Sequence, residues 1–281
     1  MFSRSKKASR LVLGAAGLGA LVALTGIAGP AVAGADVRHA GTHKPTVVLV
    51  HGAWADGSSW DKVAAKLQSD GYQVATPPNL LSGVRNDAAN LRAYLDTISG
   101  PIVLVGHSYG GMVITTAALG DKQVKALVYV DAYLPAKDDT VFSLTSALPG
   151  SVFAADPSTV FDQVPIPGAN QVANFYVKPS VFGKAFADKS IPAKDVAVLT
   201  ARQRPLASNA LFEPSGEPAW STIPSWSVIG KQDAVIPPAE QVVMAKRAKA
   251  HTLEVNGPHL VMLTAPGVVT GQIESAARAT D

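Results

Sequence analysis

The segment Gly106-His107-Ser108-Tyr109-Gly110 sets a serine between two glycines. It lies behind the apolar, β-branched run 101–105 and ahead of 111–119, a stretch of helical character. G-x-S-x-G between a strand and a helix is the pattern of a nucleophile elbow. Such a turn holds its serine at strained backbone angles, and the flanking glycines remove side chains that would collide. The Ser108 hydroxyl is thereby expected at the carboxyl end of a sheet, with a helix N-terminus beneath it. A serine attacks an acyl carbon only when a base takes its proton and fixed donors hold the oxyanion. The rest of the chain must supply both.

The sequence has six histidines, and the base belongs on a loop at the serine's own sheet edge. His39 and His43 fall in the N-terminal lead-in. His51 closes the first predicted strand, where it is expected to fix the adjoining loop. His107 is the variable residue of the elbow and is expected to point away from the serine's task. His251 precedes a strand and so belongs to the opposite edge. His259, in the Gly257-Pro258-His259 loop that follows a strand, is the predicted base. The orienting acid is expected between serine and histidine in the chain, after another strand. Asp233 in Gly230-Lys231-Gln232-Asp233 meets that condition, and Asp131 in Tyr129-Val130-Asp131-Ala132 competes with it. Two backbone N–H groups must face the oxyanion. Tyr109, at the helix start, and Ala53, in His51-Gly52-Ala53-Trp54, are the predicted donors, and Trp54 is expected to pack at the substrate.

The elements that would position these residues alternate along the chain. Strands are predicted at 46–50, 72–75, 101–105, 124–130, 225–229 and 252–255. Helices are predicted at 59–69, 87–98, 111–119, 238–250 and 271–279. Alternation at this spacing predicts right-handed crossovers and an α/β fold with a doubly wound, mostly parallel sheet. Over about residues 134–218 the rhythm breaks into prolines and aromatics, among them Phe142, Phe153, Phe161, Phe175, Phe182 and Phe186. An insertion there, between nucleophile and acid, reads as a largely helical cap over the active-site edge.

The first 35 residues read as a leader rather than as fold. Arg4, Lys6, Lys7 and Arg10 precede an apolar run over 11–27, and small residues offer cleavage after Ala33 or Ala35. This is the layout of a secretory signal peptide, and a polar lead-in over 36–45 follows it. Of the 24 basic and 21 acidic residues, the leader holds four basic and no acidic ones, so the remainder is close to neutral. That balance gives no case for a nucleic-acid partner, and cleavage would leave no stable membrane insertion. With 0 cysteines, thiol nucleophiles, disulfides and cysteine zinc sites are excluded.

Over residues 46–281, His-Gly-Ala-Trp, Gly-His-Ser-Tyr-Gly-Gly-Met and Gly-Pro-His together resemble an α/β-hydrolase, whose triad order is Ser, Asp, His. Within that superfamily the chain resembles the cofactor-free group that includes plant methylesterases and hydroxynitrile lyases. Two positions depart from the lyases: Leu260 stands where they carry a lysine, and Gly52 where they carry a threonine. The resemblance therefore implies ester hydrolysis. Ser108 also sets the chain apart from dehalogenases and epoxide hydrolases of the same fold, which use aspartate. The expectation is a secreted serine hydrolase, extracellular or in the cell envelope, that takes a small to medium, largely apolar ester and needs no cofactor or metal. Perhydrolysis, lactone opening, carbon–carbon hydrolysis and a low-turnover ligand sensor are alternatives the motifs leave open.

Overall fold

The computed structural model describes residues 44–280. The expected leader lies outside the described residues, as does the lead-in apart from Lys44 and Pro45. Six strands, β1 (Thr46–Val50), β2 (Val74–Ala75), β3 (Ile102–Ser108), β4 (Val124–Ala132), β8 (Ser225–Gly230) and β9 (His251–Val255), form one sheet. Its order is β2-β1-β3-β4-β8-β9, parallel throughout. β1, β3, β4 and β8 are buried almost end to end because helices cover both faces of the sheet. Their Val, Ile and Leu runs match that two-sided burial. β9 is the exposed edge strand.

Helices α1 (Asp61–Ser69) and α10 (Pro266–Arg278) pack together in one layer, and α2 (Val84–Leu95) packs against α3 (Gly110–Ala117) in the other. α8 (Pro238–Arg247) lies against β8 and β9, and α9 (Val261–Thr264) leads into α10. α2 starts at Val84 rather than at the expected Asp87. The Ser82 N–H and hydroxyl donate to Asp87 Oδ1 at 3.0 and 2.7 Å, which closes a turn ahead of that residue.

In the β3–β4 register, His107 pairs with Val130 and Ser108 with Ala132, so Asp131 is an extra, unpaired residue. It is a bulge with φ of 42° that bends β4 beside the elbow.

The insertion after β4 carries helices α4 (Val141–Ser146), α5 (Pro157–Val160), α6 (Pro179–Phe186) and α7 (Ala193–Arg202). It also carries a feature the sequence reading did not anticipate. β5 (Phe161–Pro165), β6 (Ala173–Val177) and β7 (Leu206–Ala207) form a three-stranded antiparallel sheet. Main-chain hydrogen bonds tie this cap to three separate loops of the main sheet. Trp54 N–H donates to Arg204 O (3.0 Å), Val152 N–H to Ala234 O (2.9 Å) and Leu260 N–H to Phe186 O (3.2 Å). Among the described residues, no helix is long and apolar enough to cross a membrane.

Candidate active site

The carboxyl ends of β1, β3, β4, β8 and β9 deliver His51–Trp54, Ser108, Asp131, Asp233 and His259 to one edge, the usual crevice of an open α/β sheet. Ser108 sits at φ of 53°, in the left-handed region that β-carbon sterics disfavour. The glycines make that turn possible. A Cβ on Gly106 would lie 2.7 Å from Gly110 O, and one on Gly110 would lie 2.7 Å from Val50 O. Gly52 is as constrained, since a Cβ there would come within 2.7 Å of Ser108 Cβ. A threonine, the residue of the lyases, would collide with the serine.

Asp233 and His259 come together directly: His259 Nδ1–H donates to Asp233 Oδ2 at 2.8 Å, with both side chains buried. That bond fixes the tautomer and leaves Nε2 as the basic nitrogen. Asp233 Oδ1 accepts from Val235 N–H (2.8 Å) and Ile236 N–H (3.0 Å), and Oδ2 also accepts from Gln241 Nε2 (2.7 Å). Four donors thus surround one carboxylate. His259 Nε2 is buried and makes no hydrogen bond, so Ser108 and His259 share a sheet edge without a direct bond between them. Such bonds commonly tighten only once substrate is bound.

Ala53, Trp54 and Tyr109, all named from sequence, line one cavity with Ser108. Its interior volume is about 40 Å³, and its other walls are mainly Phe153, Phe161, Leu206, Leu211 and Val235. No charged side chain lines it. Trp54 N–H is committed to Arg204 O. Tyr109, at the N-terminus of α3, is anchored by its hydroxyl, which donates to the buried Asp87 at 2.8 Å. Burial and that carboxylate raise the Tyr109 pKa far above the usual phenol range.

His51 holds the loop after β1, as expected. Its Nε2 accepts from Asn79 N–H (3.0 Å), so Nδ1 carries the proton and donates to Gly52 O (2.9 Å). Burial pushes its pKa down and keeps it neutral. His107 has more to do than its elbow position suggested. Its Nε2–H donates to the His259 carbonyl at 2.9 Å, and the two rings lie 4.7 Å apart. Burial lowers its pKa well below the usual value, so it is a neutral brace between the elbow and the base loop. His251 sits on the exposed edge strand against Trp226, away from the site.

Asp131 is also fully buried; it accepts from Gly230 N–H at 2.5 Å, and the Val261 N–H and the Gln241 amide stand near its carboxyl without closing a bond of good geometry to Oδ2. Burial first, and the nearby Asp233 second, push its pKa well above the carboxylate range. Gln241, Asp87 and Asn79 escaped the sequence reading because each acts across a packing contact with no motif of its own.

A strained serine at a strand-to-helix turn, with a carboxylate-held histidine at the same edge of a parallel sheet, defines a hydrolase of the serine type. The chain belongs to the alpha/beta hydrolase family, whose profile matches residues 47–271. It is 37% identical over 123 residues to a carbendazim hydrolyzing esterase of Nocardioides sp. (strain SG-4G), a match spanning 38% of this chain and half of that esterase. It is 27% identical over 230 residues to Methylesterase 18 of Arabidopsis thaliana, covering 73% of this chain and 86% of the relative. Among solved structures, it resembles an extracellular α/β-hydrolase from a Paenibacillus species at a TM-score of 0.68 and 22% identity. That alignment covers 83% of this chain and 99% of the other. The chain is thus related to plant methylesterases and bacterial esterases.

Proposed function

We propose that the protein is a secreted serine esterase acting on small to medium, largely apolar carboxylic esters. Ser108 attacks the acyl carbon as His259 Nε2 takes its proton, and Asp233 holds the resulting imidazolium. The N–H groups of Ala53 and Tyr109 hold the tetrahedral oxyanion, each worth about 2.7–4 kcal/mol in sites of this kind. His259 returns the proton to the departing alcohol, then activates the water that releases the acid. The observation that carries this reading is the buried Asp233–His259 hydrogen bond of 2.8 Å at the edge where Ser108 sits at φ of 53°. An uncharged cavity lined by aromatic and aliphatic side chains supports a neutral, apolar substrate. The leader pattern supports export, and the Paenibacillus relative is extracellular.

Hydrolysis of p-nitrophenyl esters from acetate to octanoate tests the proposal. Purified protein should turn over steadily, and Ser108→Ala should lose the rate by about 10⁴-fold or more, the scale of triad removal. A folded protein with no Ser108-dependent rate on any ester would sink it and favour a ligand sensor.

A further inference from the structure

A second, small cavity of about 20 Å³, open to solvent on the side of Asp56, Ser58 and Arg202, lies behind Trp54. Phe182, Phe186, Leu199 and Leu260 wall it, and the Arg202–Asp56 ion pair (3.1 Å, partly exposed) stands at its margin. Among the described residues, Trp54 alone lines both this space and the cavity containing Ser108. We infer that Trp54 is a specificity wall: it closes the second cavity off from the reacting centre and thereby limits the size of the alcohol portion of the ester. The inference rests on the esterase reading above.

Two independent features support it. The indole is held in place rather than loosely packed. Its Nε1–H donates to Phe175 O at 2.7 Å, its ring stacks on Phe161 at 5.5 Å, and Phe153 and Phe186 meet it edge-on at 5.1 and 6.1 Å. A side chain fixed by one hydrogen bond and three aromatic neighbours does not swing aside for a longer substrate. The second feature is the position of this second cavity relative to the base. Phe186 lies 5.4 Å from the His259 ring, and Leu260, the next residue after His259, donates its N–H to Phe186 O. The second cavity therefore flanks the histidine. The leaving alcohol receives its proton from that histidine, so it is the alcohol, not the acyl chain, that points toward Trp54.

Removing the indole joins the two spaces. The test is kcat/KM for methyl, butyl, hexyl and benzyl esters of one short acid, together with the acetate-to-octanoate acyl series. Both are measured on the wild type, Trp54→Phe and Trp54→Ala. Trp54→Ala should raise butyl and hexyl esters relative to methyl by about tenfold or more, the scale of apolar groups newly admitted to a pocket. The ranking of acyl chains should stay unchanged, and Trp54→Phe should keep the wild-type preference for small alcohols. A folded Trp54→Ala protein with the wild-type alcohol ranking, or one that gains only in the acyl series, overturns the inference. Should Trp54→Ala fail to fold, Trp54→Leu takes its place.

Calorimetric titration with benzyl alcohol separates this question from turnover. Tighter binding to the Ala or Leu variant than to the wild type, whose Ser108 cavity can itself take the alcohol, upholds the wall even if no ester is hydrolysed, an outcome that would sink only the esterase reading. Equal affinity for both proteins overturns the wall whatever the kinetics show.

Discussion

Asp233 follows β8 and Asp131 lies within β4, strands that pair side by side in the sheet, and both carboxyls are buried. Asp233 is ringed by two backbone N–H groups, an amide and the His259 imidazole. Asp131 accepts one short backbone hydrogen bond, with the Val261 N–H and the Gln241 amide near its other oxygen but not closing a bond to it. Burial disfavours charge at both positions, and only hydrogen bonds to the charged form offset it. The sheet edge therefore supplies two acids, and the local donors decide which one serves the histidine. Position in the chain made them competitors, whereas the turn after β8, with Val235 and Ile236 N–H aimed inward, separates them.

The contrast breaks most sharply at Asp233. Asp233→Asn places a donor where His259 Nδ1–H needs an acceptor, and kcat should fall by about 10⁴-fold. A drop of only a few-fold, with Asp131→Asn the worse variant, would reverse the assignment. Gln241→Leu removes one of the four donors without touching substrate. About a tenfold loss of kcat/KM is expected, since a hydrogen bond to a charged group is worth about 1.5–3 kcal/mol. Asp131→Asn copies the shape of a neutral acid and keeps the acceptor for Gly230 N–H. Activity within about threefold of wild type is expected, the scale of a change that spares a charged partner.

The same variant carries a pH signature. Burial, with Asp233 nearby, raises the Asp131 pKa in the folded protein, so the fold keeps that proton to higher pH than the unfolded chain, which releases it above about pH 4. The folded state then binds the extra proton, so the wild type loses stability as pH rises from about 4 toward the raised folded value. Melting temperatures of Asp131→Asn and wild type should differ least below that pH and diverge toward neutrality in favour of the variant. Parallel curves would mean that Asp131 is ionised in the fold.

Much of this was legible in the sequence because the chemistry rests on short, local patterns. The elbow needs Gly106 and Gly110, where a Cβ would come within 2.7 Å of backbone oxygens, and the parallel strands need unbroken β-branched runs. What escaped depends on contacts between distant segments. His107 looked idle because its partner, the His259 carbonyl, lies 152 residues away. The antiparallel sheet of the cap was hidden by its prolines. The turn Pro167-Gly168 sits between two short runs, yet Pro165 and exposed polar residues within Phe161–Pro165 blurred their alternation. The start of α2 shifted because a side chain, Asp87, organised the turn ahead of it.

The three main-chain bonds that tie the cap to the loops behind β1, β8 and β9 alter what the cap can be. A lid that lifted would have to break Trp54–Arg204, Val152–Ala234 and Leu260–Phe186 together, and with them disturb the loops that carry Ala53, Asp233 and His259. The cap is therefore pinned to the main sheet at three points, and Phe142, which lines the cavity, is exposed at its surface. Substrate choice and catalytic alignment are consequently inherited as one unit: an insertion or deletion in the cap that reshapes the cavity also pulls on the residues that perform the reaction.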